Sequence, residues 1–116
     1  MKAHLALAVV FLMVLVTIPA SASTYWCTGT VTNLNTYSDG TITLSVPGQS
    51  PQIYLCNLTS NFGNWTPNGC KAAYALLLSA KLSGLQVEMG FNDTFTCSNP
   101  EVGAQGTGAY SVTILP

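Results

Sequence analysis

Charge is what this sequence has least of. Its 116 residues include three lysines, no arginine, four carboxylates and one histidine. One lysine, Lys2, and the histidine, His4, fall in the first few residues. The rest of the chain sets Lys71 and Lys81 against Asp39, Glu88, Asp93 and Glu101, two positive charges against four negative, a formal −2. Two cations cannot neutralise a run of phosphates, so nucleic acid is excluded as a partner. The same count argues against anionic membrane surfaces. Without a histidine past His4, a His-based hydrolytic triad cannot be built there. The cysteines form no CxxC pairs, which with the missing histidine leaves no metal-binding pattern. The one glycine-rich stretch, GAQGTG at 103–108, lacks the lysine and the following helix of a phosphate loop. No cofactor and no metal are expected.

Long apolar runs are also missing, with one exception. Leu5 to Ile18 is apolar, but shorter than the roughly 20 residues a membrane-spanning helix needs. Lys2 precedes it, and Pro19 and Ala20-Ser21-Ala22 follow. A basic start, an apolar run and a small-residue cleavage site make a secretory signal peptide. The expected organisation is a signal peptide over residues 1–22 and a single domain over 23–116, with the product periplasmic or secreted. The mean hydropathy of +0.39 owes much to this run and does not describe the domain.

Cysteine is present in an even number: Cys27, Cys56, Cys70 and Cys97. In a small exported domain that implies two disulfides. Four cysteines allow three connectivities, and spacing alone does not choose among them. With all four paired, no thiol remains for covalent catalysis. Asp39 and Asp93 lie in polar turns, where solvation is the ordinary role of a carboxylate. The protein is therefore not read as an enzyme.

Along the chain, Trp26 to Asn33 (WCTGTVTN) is rich in Thr and Val and reads as a first strand. Leu34 to Gly40 (LNTYSDG) is a turn cluster. Thr41 to Val46 alternates, with Ile42, Leu44 and Val46 on one side and Thr41, Thr43 and Ser45 on the other. A turn at Pro47–Pro51 leads to a third strand over Gln52–Leu58, with Ile53 and Leu55 inward. Thr59 to Asn64 reads as loop. Leu85 to Phe91 is a fourth strand, with Leu85, Val87, Met89 and Phe91 on one face, and Ala109 to Leu115 a fifth, with Tyr110, Val112 and Ile114 alternating. The long connection between them ends too rich in glycine to hold much structure.

Between the third and fourth strands lies the only helical segment of the domain, Trp65 to Gly84. Thr66 suits its N-cap, Pro67 its first position and Gly84 its C-terminal cap. At 100° per residue, Ala73, Leu76, Leu77 and Ala80 share one face. The other side carries Lys71, Ala75, Leu78 and Leu82, too apolar for a plain solvated surface. Ala75, Leu78 and Leu82 are thus candidates for contact with a second subunit.

Three strands, a helix and two strands is the element order of the OB-fold, so the expected fold is mainly β: a five-stranded Greek-key barrel plugged by one helix. A small open α+β sheet is the alternative. In the barrel Cys56, ending the third strand, lies near Cys70 at the start of the helix. The first strand pairs antiparallel with the fourth, which brings Cys27 to Cys97. The expected disulfides are Cys56–Cys70 and Cys27–Cys97.

The run from Thr28 to Gly48, with Thr28-Gly29, Thr32-Asn33 and Tyr37-Ser38-Asp39-Gly40, resembles the start of the B subunits of subtilase-cytotoxin and pertussis-like bacterial toxins. The later run from Trp65-Thr66-Pro67 through Leu76-Leu77, Ala80 and Ser83-Gly84 to Val87 is similar to that family's helix and following strand. The resemblance covers most of the domain through short, spaced matches. It implies an OB-fold assembled as a ring of five, a toxin A subunit as partner, and sialic-acid-type glycans as ligands. The family's glycan-recognising serine corresponds to Ser38, flanked by Tyr37 and Asp39, and a further polar contact falls near Asn33. Two residues are added between the Trp and the Ser here, and Cys27 follows Trp26. An aromatic or polar position beyond the family's fourth strand falls in the region of Phe95. Aromatic rings beside uncharged polar groups, as at Tyr37 and at Phe62 and Trp65, also suit sugars on chemical grounds. The expected function is an exported, oligomeric, lectin-like subunit. The alternative is a small exported interaction protein, such as an enzyme inhibitor or stress protein, with no sugar site.

Overall fold

The computed structural model describes residues 24–49, 52–92, 96–97 and 108–116. The expected signal peptide, Asp93, Phe95, Glu101 and the 98–107 stretch lie outside them. Seven elements follow in order: β1 (Tyr25–Thr30), β2 (Asn33–Thr36), β3 (Thr41–Ser45), β4 (Ile53–Asn57), α1 (Pro67–Ser83), β5 (Gln86–Phe91) and β6 (Ala109–Ile114). The fold is mainly β with one helix, as its alternating patterns imply.

The strands do not form the expected five-stranded barrel. Six strands make two three-stranded antiparallel sheets, ordered β1-β5-β6 and β2-β3-β4. The single first strand expected over 26–33 is divided at Val31-Thr32, and its two halves serve different sheets. Leu34 to Thr36 is strand and not turn, because Leu34 pairs with Leu44 and Asn35 with Thr43 across the β2–β3 ladder. Cross-strand pairing overrides the turn composition of an Asn- and Thr-rich segment. The true turn is confined to Tyr37–Gly40.

β1 pairs antiparallel with β5, Tyr25 opposite Phe91 and Thr30 opposite Gln86. The two rings at the start of this ladder stack, with centroids 5.2 Å apart and planes 10° from parallel. Such a pair contributes roughly 0.5–1.5 kcal/mol beyond its buried area. Between the sheets lies a core that includes Ile42, Leu44, Ile53, Leu55, Val87, Met89 and Phe91, all fully buried. Thr43 is fully buried as well, although the alternation assigned it to the solvent side.

The helix forms where its local signals place it. Thr66 accepts from the Gly69 amide at 3.2 Å, Pro67 occupies the first turn, and Gly84 closes the far end at φ +69°. The Leu85 amide reaches the Ala80 carbonyl, the 6→1 bond of a Schellman cap, and the Gly84 amide shares that carbonyl in the 5→1 bond of an αL cap; both forms need a residue free to enter the left-handed region. Cys70, Ala73, Leu77 and Ala80 are buried against the core, with Leu76 half-buried beside them. Leu85, expected inside the fourth strand, is instead 38% exposed just past this cap.

Disulfides join Cys27 to Cys97 and Cys56 to Cys70, with Cα separations of 5.5 and 5.6 Å. This is the pairing the strand order implies. The first ties the chain beyond β5 to β1, and the second ties α1 to β4. Among the described residues no helix is long and apolar enough to cross a membrane.

Candidate functional site

The β2–β3 hairpin carries the turn on which the sequence reading converges. Two backbone hydrogen bonds shape it, from the Tyr37 amide to the Thr41 carbonyl and from the Gly40 amide to the Tyr37 carbonyl, each 2.9 Å. Gly40 sits at φ +88°. This is the three-residue hairpin loop that ends in a left-handed residue, a position that glycine fills without strain. A side chain there would also press on Asn57 and Thr59, since an added Cβ would lie 3.2 Å from both. The Asp39 carboxylate accepts from the Thr41 amide at 3.0 Å. That bond holds its pKa below the usual carboxylate value, so the turn carries a fixed negative charge at neutral pH.

Beneath the turn lies a polar hub that the sequence reading did not find. Asn57, at the end of β4, is only 8% exposed. Its amide nitrogen donates to the Asp39 carbonyl at 3.2 Å and to the Thr41 hydroxyl at 3.3 Å. Its amide oxygen accepts from the Thr59 amide, the Thr59 hydroxyl and the Ser60 amide, at 2.8, 2.8 and 3.1 Å. One side chain thus fastens the hairpin turn to the loop after β4. Asn57 also opens one of three sequon-like triplets in the chain, and the hydrogen bonds of its amide leave it no room to carry a glycan. The only sequence signal for this hub is an asparagine where an exposed strand end would more often be apolar or charged.

A second support comes from Gln52, whose amide donates to the Tyr37 hydroxyl at 2.8 Å and to the buried Thr43 hydroxyl at 3.2 Å. The Tyr37 ring is therefore held at its tip while 46% of the residue stays in solvent. Tyr37, Ser38 and Asp39 are exposed together on one turn. Asn33 does not join them. It lies at the other end of β2, opposite Ser45, four residues away or about 13 Å along an extended strand.

The loop before the helix is more ordered than its polar composition predicts. Phe62 and Trp65 exchange backbone hydrogen bonds of 2.9 and 3.0 Å around Gly63-Asn64. The Asn64 amide reaches Asn92 and the Ala109 carbonyl, at 3.2 and 3.3 Å, and so fixes this loop to the β1-β5-β6 sheet. Trp65 is partly buried against the core and is not offered to a ligand.

Ala75, Leu78 and Leu82 all face solvent on α1, with Leu78 39% and Leu82 80% exposed. All four cysteines are bonded, and no described group of acidic, Cys or His side chains is arranged to hold a metal. The described residues enclose no pocket. Comparison with protein-family models, curated proteins and solved structures finds no match.

Proposed function

We propose that the protein is an exported glycan-binding subunit, lectin-like and without catalytic activity of its own. The observation that carries this reading is the Tyr37-Ser38-Asp39 turn. It presents an aromatic face, a hydroxyl and a carboxylate to solvent, on a hairpin held from below by Asn57 and from the side by Gln52. A surface ligand that offers both hydroxyls and an apolar C–H face suits such a turn. Preorganised polar contacts of this kind cost little ordering entropy when the ligand arrives. The resemblance to toxin B subunits points to sialylated glycans, whose own carboxylate would lie toward the Ser38 hydroxyl and away from Asp39, and two disulfides fit an oxidising, exported setting. On this reading the two sheets form an OB-like chassis, opened where the first strand divides.

The test is a sialylated glycan array probed with wild type and Ser38→Ala. Because Ser38 is exposed, the substitution is expected to lower binding at least tenfold while leaving the melting temperature unchanged. Equal binding by both proteins removes Ser38 from the site.

The same reading makes the protein a ring of identical subunits, able to carry a catalytic partner to a glycosylated surface. An apolar stripe that includes Leu82 at 80% exposure supports this. Apolar side chains exposed together on one helix face are where a protein contact is commonly made. Leu78→Lys is expected to leave the fold intact and to convert the oligomer to monomer in light scattering. A wild-type protein that is already monomeric, together with a blank array, would favour the alternative of a small exported interaction protein.

A further inference from the structure

The outer face of the β1-β5-β6 sheet holds a second cluster, separate from the hairpin turn. Trp26 lies directly across from Gly90 in the β1–β5 ladder. Tyr110 comes to the same place from β6, where the register shifts at Gly90/Phe91. The two rings meet edge to face, centroids 5.7 Å apart and planes at 70°. Gly90 forms the floor between them: a Cβ built there would lie 2.8 Å from the Trp26 ring and 2.9 Å from the Tyr110 ring. Both aromatics nevertheless stay open, Trp26 49% and Tyr110 36% exposed. Covering a strand glycine with aromatic neighbours stabilises a sheet, and that accounts for the contact. It does not account for two large rings left half in water.

The neighbours say what the corner would receive. On this face the next row of the sheet is Thr28–Glu88–Thr113, in register with one another, about 7 Å along the strands from Trp26. Ser111 lies opposite Gly90. Among the described residues Glu88 is the only charged one on this face, and the described cations, Lys71 and Lys81, sit on α1, which packs against the opposite side of the sheet. An anionic sugar would meet a carboxylate with no cation to offset it. Two rings at 70° also make a corner, which fits one ring of a soluble chain and not the flat surface of a crystalline polymer.

We infer that Trp26, Tyr110 and Glu88 form a second carbohydrate site, one that takes a neutral oligosaccharide. One sugar ring packs its C–H face into the Trp26–Tyr110 corner, and the next places its hydroxyls over Glu88 and Thr28. This site differs from the hairpin turn in position and in the charge of its ligand, and it stands or falls independently of that proposal.

Isothermal calorimetry with cellohexaose, chitohexaose and maltohexaose tests it. At least one of the three is expected to bind, with binding weakened at least tenfold by Trp26→Ala and severalfold by Glu88→Gln, and unchanged by Ser38→Ala. Since Trp26→Ala uncovers Gly90 and destabilises the sheet, Glu88→Gln and Tyr110→Ala provide variants whose folding can be confirmed by their melting curves. No saturable binding by wild type to any of the three sugars overturns the inference. So does binding that persists in folded Tyr110→Ala and Glu88→Gln proteins, or a self-association that Trp26→Ala abolishes, which would make a second copy the occupant.

Discussion

Replacing Cys27 and Cys97 together by alanine is expected to lower the unfolding free energy by about 4 kcal/mol, and replacing Cys56 and Cys70 by about 3 kcal/mol. The ranking follows from the loops the bonds close, 70 residues apart in sequence for the first and 14 for the second. A crosslink acts mainly by removing freedom from the unfolded chain, and the longer the loop, the larger that loss. A domain of this size has about 5–15 kcal/mol of stability in all. Losing either bond takes a large share of it, and losing both is expected to leave the chain unfolded at 37 °C.

Urea denaturation of the two double variants decides the matter. A competing effect runs the other way. Cys56 and Cys70 are completely buried, so truncating both also opens a gap between α1 and β4. Should the Cys56/Cys70 variant prove the less stable of the two, packing rather than chain entropy governs these crosslinks. The functional consequence differs as well. Cys27 neighbours Trp26 on β1, so removing its bond loosens the aromatic corner, whereas removing Cys56–Cys70 frees the helix and its exposed stripe.

The second large effect is expected at Asn57. Asn57→Ala removes five hydrogen bonds at once and takes the side-chain acceptor from the Thr59 and Ser60 amides, while the Asp39 carbonyl keeps only the Thr59 hydroxyl at 3.3 Å. Several of those groups can turn to water, because Thr59, Ser60 and Asp39 are exposed. The net loss is therefore put at about 2 kcal/mol rather than the sum of five bonds. For a domain of this length that lowers the melting temperature by roughly 10 °C.

The distinguishing outcome is the coupling to binding. Asn57 touches no ligand, yet it holds the carbonyl of Asp39 and the hydroxyl of Thr41 on either side of Gly40. Once the turn is free to move, a ligand must order it, and affinity falls. Asn57→Ala is expected to reduce the glycan-array signal at temperatures where the variant is still fully folded, and with a lowered melting temperature, where Ser38→Ala reduces it with no loss of stability. Full binding by a thermally weakened Asn57→Ala protein would show that the turn is rigid without the hub, and would detach the hub from function.

These expectations rest unevenly on sequence and structure. The helix was legible residue by residue because its signals are local: a threonine cap, a proline in the first turn, a glycine past the end, and an apolar face repeating every three to four positions. β3 and β5 were legible because alternating apolar residues leave one register that buries them. The disulfides followed from strand order once four cysteines were seen in a domain read as exported.

The failures share one cause, which is that pairing between distant strands leaves no trace in a short window. Leu34 to Thr36 has the composition of a turn and becomes a strand because β3 lies beside it. Tyr110 was read in one alternating row with Val112 and Ile114. The register shift at Gly90/Phe91 puts Ala109 inside and leaves Tyr110 exposed. Period-two reasoning cannot anticipate such a shift, since it inserts a residue without changing the pattern. Nor could Asn57 be connected to Asp39, 18 positions away.

By itself, then, the sequence determined the class of chemistry open to this protein: few charges, no histidine beyond His4, paired cysteines, and aromatics set among uncharged polar groups. It also determined one helix and most of the strands, because those depend on neighbours within a few residues. Tertiary structure alone decided which aromatics stay in water, which asparagine is buried, and where the first strand breaks to serve two sheets. Each of those depends on the backbone that arrives from elsewhere in the chain to make the next hydrogen bond.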